Sequence, residues 1–194
     1  MGMNRFPCEQ YASLELNQVA FPKTGMVVSQ TPLGEDFTKD APCENGMWVV
    51  GDKAVGAINP PTAGTDKLIG IVYTTEKEYD IMHYGLKTFG RKVAGDYPRV
   101  GLLGVGDTVT TNCLQYDTNN FADDAALDTA LKAIGTTPLY VAIHAVGQNE
   151  TVSAANAVPE IVKAIPQAGI YGKIVKYYTV PNGEKGVKYQ IVRL

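Results

Sequence analysis

Histidine, cysteine and tryptophan, the side chains that most often mark a reactive or ligand-binding centre, are scarce in this chain. It holds two His, three Cys and one Trp in 194 residues. No His, Cys or carboxylate pair falls at a metal-ligand spacing, so no cofactor or metal is expected and no catalytic residue stands out. Charge is also thin: 19% of residues are Asp, Glu, Lys or Arg, against about 25% in an ordinary soluble domain. The net charge of −3 comes without a basic stripe. The densest cationic stretch is Lys87 to Lys92, which disfavours binding driven by phosphate neutralisation. No apolar run approaches the roughly 20 residues that cross a bilayer, so neither nucleic acid nor membrane is an expected partner. The opening residues lack the apolar core of a secretory signal, and Phe6 stands where a myristoylation motif needs Ser or Thr. Three cysteines of irregular spacing make no disulfide framework, which fits folding in a reducing cytoplasm.

What is present is β-forming. Apolar residues make up 45% of the chain, and tyrosine is abundant at 11, beside five Phe. Tyrosine suits both strands and interfaces, because it offers contact area with a polar tip. Short apolar runs are cut by Gly, Pro and Asn. Residues 1–24 read as an extended arm leading into a β-rich body over 25–194, with sub-boundaries possible at 59–66 or 117–122. Pro7, Pro22, Pro32 and Pro42 recur through the first 45 residues. Each removes a backbone donor and biases its predecessor away from helix. Such an arm either wraps a neighbour or lies along its own domain. Within this region only Gly25 to Gln30 looks like a strand.

From Glu44 onward the expected elements follow closely. Asn45-Gly46 is the strongest turn signal. Met47 to Val50 and Lys53 to Ile58 form a hairpin about Gly51-Asp52, 59–65 is a loop and Leu68 to Thr75 is a strand. Glu76 to Lys92 fits either a short helix or a long loop. Arg99 to Asp117 reads as two strands about a Gly-Asp turn, with Cys113 mid-strand. Residues 123–134 form a short helix. Asp123 and Asp124 sit at its positive end, Leu127, Leu131 and Ile134 share one face, and Gly135 is placed to cap it. Leu139 to Ala145 is a buried strand. Pro159 to Ile165 is expected to hold one or two helical turns, stopped by Pro166. The chain closes on a hairpin, Ile170 to Val180 and Val187 to Leu194, about the turn 181–184. In it Lys173, Lys176, Lys185 and Lys188 alternate with apolar residues on a half-solvated face. The fold class is therefore mainly β with minor α: a β-sandwich or barrel-like body with one short helix.

Each candidate for chemistry meets a plainer explanation. Gly101, Gly104 and Gly106 invert the dinucleotide-binding spacing and precede a strand-like run, leaving no helix N-terminus for a pyrophosphate. Cys113 with His83 or His144 has no local signature of a nucleophile and its base. Strand alternation accounts for His144, and His83 lies in a patch, Asp80 to Tyr84, suited to contact. Asp117, Asn119, Asn120, Asp123 and Asp124 lack the glycine and alternation of a calcium loop, and helix capping explains them. Glu35, Asp36, Asp40 and Glu44 are too diffuse for a glycosidase pair. Asn149-Glu150-Thr151 is a formal glycosylation sequon that matters only on a secretory route.

The segment PxxGMVVSQ, the run ENGMWVVGDKAVGAI, the strand LIGIVYTTEKEYD and the stretch GLLGVGDTVTTNCLQYD together resemble tailed-bacteriophage virion proteins. In texture the chain is closest to capsid auxiliary or decoration proteins. The resemblance spans roughly residues 22–117 and contains no catalytic motif. It implies a non-enzymatic protein that binds and stabilises the assembled capsid, with the major capsid lattice and copies of itself, a trimer among the possibilities, as partners. Its place would be the virion, after synthesis in the host cytoplasm, and the arm would add a strand to a neighbour's sheet edge. A tail-tube subunit, another virion component and a carbohydrate-binding β-sandwich module are the alternatives. The last would need Trp48 and the Tyr177-Tyr178 pair to converge on one groove. An enzyme would need a pocket where His144 or His83 meets a carboxylate and a nucleophile.

Overall fold

Alternating apolar residues give the first strand of the hairpin, Trp48–Asp52, two buried faces. Trp48 and Val50 point into one cluster, while Met47 and Val49 point into another. The computed structural model describes residues 2–8, 12–14, 20, 27–28, 31–52, 56–64, 68–74, 92–145, 151–179 and 183–194. In chain order its strands are β1 Met3–Arg5, β2 Val27–Val28, β3 Trp48–Asp52, β4 Ala57–Asn59, β5 Ile69–Val72, β6 Val100–Leu102, β7 Thr108–Thr111 and β8 Gln115–Asp117. The helix α1, Asp124–Lys132, follows. Then come β9 Tyr140–Ala142, β10 Glu160–Val162, β11 Tyr171–Thr179 and β12 Lys185–Arg193. They form a seven-stranded sheet, β1-β8-β10-β9-β11-β12-β7, and a five-stranded sheet, β2-β6-β5-β3-β4. Among the described residues the class is mainly β with a single α-helix, and the body is sandwich-like.

The two sheets meet over the larger cluster. Trp48, Ile69 and Ile71 of the smaller sheet share it with Val109, Val141, Ile161, Ile174, Val187, Tyr189 and Ile191 of the larger. The Trp48 indole donates from Nε1 to the Tyr189 hydroxyl at 2.9 Å, which joins the sheets by a buried polar contact. Leu127 and Leu131 of α1 enter the same cluster. The smaller cluster covers the far face of the five-stranded sheet with Leu33, Phe37, Ile58, Val72 and Val100. Gly70 permits β5 and β6 to approach: a Cβ there would overlap Cγ1 of Val100 and lie 3.2 Å from the Gly101 carbonyl. Gly46 serves the turn before β3 at φ +95, and a Cβ on it would stand 2.5 Å from that of Cys113.

The seven-stranded sheet is strongly curled. β8 and β7 are separated in it by β10, β9, β11 and β12, which in a flat sheet puts them about 24 Å apart at about 4.8 Å per strand. Yet only Asn112, Cys113 and Leu114 join them in the chain, a reach of about 15 Å at 3.8 Å per step. The sheet therefore bends toward closure, although no ladder joins β7 to β8. The described part of the arm runs antiparallel along this same stretch. Met3, Asn4 and Arg5 pair with Asp117, Tyr116 and Gln115. The Phe6 amide then donates to the Leu114 carbonyl at 2.9 Å, and Leu14 and Ala20 bridge Thr111 and Thr108. Of the two courses open to the arm, these residues follow their own body.

Several expectations need correction. Arg99 to Asp117 holds three strands, and the Gly106-Asp107 turn carries the chain from one sheet to the other, since β6 and β7 do not pair. Turn residues specify a reversal and are silent on sheet membership. Cys113 lies in the bend after β7. Pro159 to Ile165 is not helical: a 3-10 turn at Ala154–Ala157 ends at Val158, which is extended at φ −81 and ψ 117. Pro159 imposes that conformation on its predecessor. The β-branched Ile161 and Val162 then lie in β10, parallel to β8 and antiparallel to β9. Helix α1 is capped by Asp123 and ends at Ala133, so Gly135 lies beyond the cap and outside the left-handed region. The strands within 68–75 and 139–145 and the terminal hairpin are found, and so is a hairpin over 48–59. Its reversal is not at Gly51-Asp52: both lie in β3, where Gly51 pairs with Ile58 and Asp52 with Ala57, so the chain turns between Asp52 and Ala57. The stretch 76–91, with His83, lies outside the described residues, as do Asn149 and Glu150 of the sequon and most of Gly25 to Gln30.

Candidate functional site

His144 follows β9 and has a partner that no local motif announces. Its Nδ1 lies 2.9 Å from Oε2 of Glu160, because the β9–β10 register sets Glu160 opposite Ala142. Both side chains are largely buried. Glu160, though not His144, is among the residues lining a cleft of about 650 Å³, together with Lys163, Asn120 and the apolar Ile143, Ile165 and Ile170. A carboxylate so placed fixes an imidazole's tautomer and orientation. Among the described residues lining the cleft there is one amine, Lys163, and no Ser, Thr, Cys or Tyr.

The cysteines are placed for packing. Cys43 and Cys113 are fully buried. Burial pushes both thiols well above the ordinary range, and the nearby Glu44 carboxylate adds to the effect in each. Thiolate, the reactive form, is therefore suppressed at both. A native chain at about pH 8 should release at most one thiol equivalent to an Ellman-type reagent, from the half-buried Cys8. All three should react after denaturation. Rapid labelling of two or three in the folded protein would contradict this burial.

The acidic cluster is spent on local structure. Asp117 accepts from the amide and side chain of Asn119 at 2.9 Å each, and those hydrogen bonds hold its carboxyl below the usual range. Asp123 accepts from the Ala126 amide as the N-cap of α1, and Asp124 accepts from the Tyr116 hydroxyl at 2.6 Å. Among the described residues no group of three or more His, Cys, Asp or Glu is arranged to hold a metal ion. Gly101 lies in β6, and Gly106 is a turn residue at φ +98 with β7 after it. The aromatic hints of a sugar platform also separate: Trp48 is fully buried, and Tyr177 donates to Asp128 at 2.6 Å against α1.

The surface feature with the clearest physical demand is the outer face of the C-terminal hairpin. Four neighbouring strands, β9, β11, β12 and β7, contain Lys173, Lys176, Lys185, Lys188 and Arg193 and no Asp or Glu. Lys173 pairs with Gln190, and Lys176 pairs directly with Lys188. Like charges directly opposed across strands repel. Lys185, in register with the inward Val187, lies on the other face beside Tyr177. A bulge between Ile174 and Lys176 leaves Val175 half-exposed and returns Lys176 to the outer face, because a spacing of three in a regular strand would invert it. The face is thus three lysines wide, not the four that alternation suggested. Its tyrosines are engaged: Tyr140 and Tyr171 meet edge-to-face at 5.9 Å, Arg193 stacks over Tyr171 at 4.7 Å, and Lys176 sits over Tyr178 at 5.7 Å. Comparison with family models, curated proteins and solved structures finds no match for the chain.

Proposed function

We propose that this chain is a structural virion protein, one that binds and stabilises an assembled phage capsid as an auxiliary or decoration protein and performs no catalysis. The observation that carries adhesion is the outer hairpin face, where Lys176 directly opposes Lys188 and no carboxylate lies on the surrounding strands. An anionic neighbour relieves that repulsion and folding alone does not. The virion setting is supported by the resemblance of residues 22–117 to tailed-phage proteins. Weak contacts suffice in such a setting, because a lattice presents its sites in many copies and raises their effective concentration.

The test is co-sedimentation with tailed-phage shells and with tail tubes. Saturable binding to shells, at a fixed number of copies per capsomer, is the expected result. A protein that stays in the supernatant of both overturns the proposal. Binding to tubes alone favours the second reading, a tail-tube subunit. One observation points that way: with five of 17 cations on the four strands, the rest of the chain holds 12 cations against 20 Asp and Glu. This asymmetry suits copies that join unlike surfaces.

A further inference from the structure

The outer hairpin face has a complement on the other side of the same hairpin. A cleft of about 570 Å³ opens between the arm, α1 and the end of the hairpin. Its lining includes the carboxylates of Asp124, Asp128 and Glu184 and the apolar Phe6, Pro7 and Leu127. Lys185 is the one cation in that lining, and Lys132 pairs with Asp128 from one turn along the helix. The carboxylates are held in place from within: Asp124 accepts from Tyr116, Asp128 from Tyr177 and Glu184 from Asn112. Three fixed carboxylates thus stand around an apolar recess, and three lysines flank the half-exposed Val175 on the outer face.

We propose that the outer face of one copy, Lys173, Lys176 and Lys188 with Val175, docks into the Asp124–Asp128–Glu184 cleft of a second copy. The face points away from the core and Lys185, Tyr177 and Glu184 of the same hairpin turn toward the cleft, so one copy cannot join its own two surfaces. The contact is between unlike surfaces, so it repeats head to tail and ends in a ring or an open file according to its angle. A single-stranded nucleic acid is the lesser fit. Its bases need open aromatic faces, and here Tyr171 is covered by Arg193 and Tyr178 by Lys176. The inference rests, like the proposed function, on the outer hairpin face, and it names a second copy as that face's partner; the two still fail separately, because a strict monomer that binds shells overturns this one alone.

Charge exchange tests it. One variant carries Lys173→Glu, Lys176→Glu and Lys188→Glu; the other carries Asp124→Lys and Glu184→Lys. Sedimentation velocity should show wild type associating at roughly 20 mM salt and dissociating at roughly 500 mM, where screening is short-ranged. Each variant alone should associate at least about tenfold more weakly than wild type, through like-charge repulsion at the contact. An equimolar mixture should associate again, because each variant's altered surface meets its opposite in the other. Far-UV circular dichroism checks the folds. Should the cleft variant fail to fold, the face variant and the salt dependence decide. A wild type that is monomeric at low salt, association that survives reversal of the face, or folded variants that stay apart when mixed would each overturn the proposal. So would a monomeric wild type that retains single-stranded DNA through these lysines.

Discussion

Trp48→Ala is expected to cost most or all of the stability of this protein. The ring is fully buried where the two sheets meet, edge-to-face with Tyr189 at a centroid distance of 5.9 Å and an interplanar angle of 67°. Truncating a buried aromatic ring to alanine costs about 3–5 kcal/mol through lost transfer energy and the cavity left behind. The Tyr189 hydroxyl, itself fully buried, also loses its donor, which adds roughly 1–3 kcal/mol. That total rivals the whole stability of a typical domain, about 5–15 kcal/mol. Urea denaturation followed by far-UV circular dichroism measures it. Two milder variants divide the effect. Trp48→Phe keeps an aromatic filler and strands the hydroxyl; Tyr189→Phe keeps the packing and strands the indole N–H. Each should lose less than Trp48→Ala, the second by about 1–3 kcal/mol. A loss below about 1 kcal/mol for the alanine variant would mean that the two sheets do not depend on this contact.

How much of this was legible varies element by element, and the reason is range. The alternation of Met47 to Val50, the capping aspartate and the Leu127/Leu131 face of α1 are local patterns, and local patterns are what a sequence displays. The terminal hairpin is visible for the same reason. Glu160 to Val162 is three residues long between prolines at 159 and 166, too short to show a period. It is a strand because β8 and β9 flank it with open ladder positions. The His144–Glu160 pair depends on that same register and shares its invisibility. The lysine face stands between these cases. Its residues were singled out by alternation, yet the Ile174/Lys176 bulge decides which of them face outward, and no residue in Lys173 to Tyr178 announces a bulge. The acidic cleft joins residues 6–8, 124–128 and 183–185, and nothing short of the fold brings those together.

Removing residues 1–14 is expected to abolish cooperative folding, which makes this segment part of the body in energetic terms. Phe6 and Leu14 are both buried in the larger cluster. Losing such side chains costs about 3–5 and 2–5 kcal/mol respectively, by the scale of large-to-alanine substitutions. The ladder from Met3 to Arg5 goes with them and exposes β8 as a bare edge. Arg5 donates to the buried Glu44 carboxylate at 2.9 Å, and the Ala12 amide donates to the same oxygen at 3.1 Å. Truncation therefore leaves a buried charge without either donor, a further strong penalty. The truncated chain should show no near-UV circular dichroism and no sharp thermal transition. Should it instead melt cooperatively within about 1 kcal/mol of the full chain, the pairings of the arm contribute almost nothing, and the arm is free to serve a neighbour. The same contacts govern any strand exchange. A neighbour's arm can replace β1 only by re-forming its pairings residue for residue, so exchange is nearly neutral in energy once assembled and slow to begin. Mixing full-length protein with a variant deleted only in residues 1–5, which keeps Phe6 and Leu14, tests this directly. Donation of an intact arm would appear as a mixed oligomer that forms over hours, and pairing confined to one chain would leave two separate species.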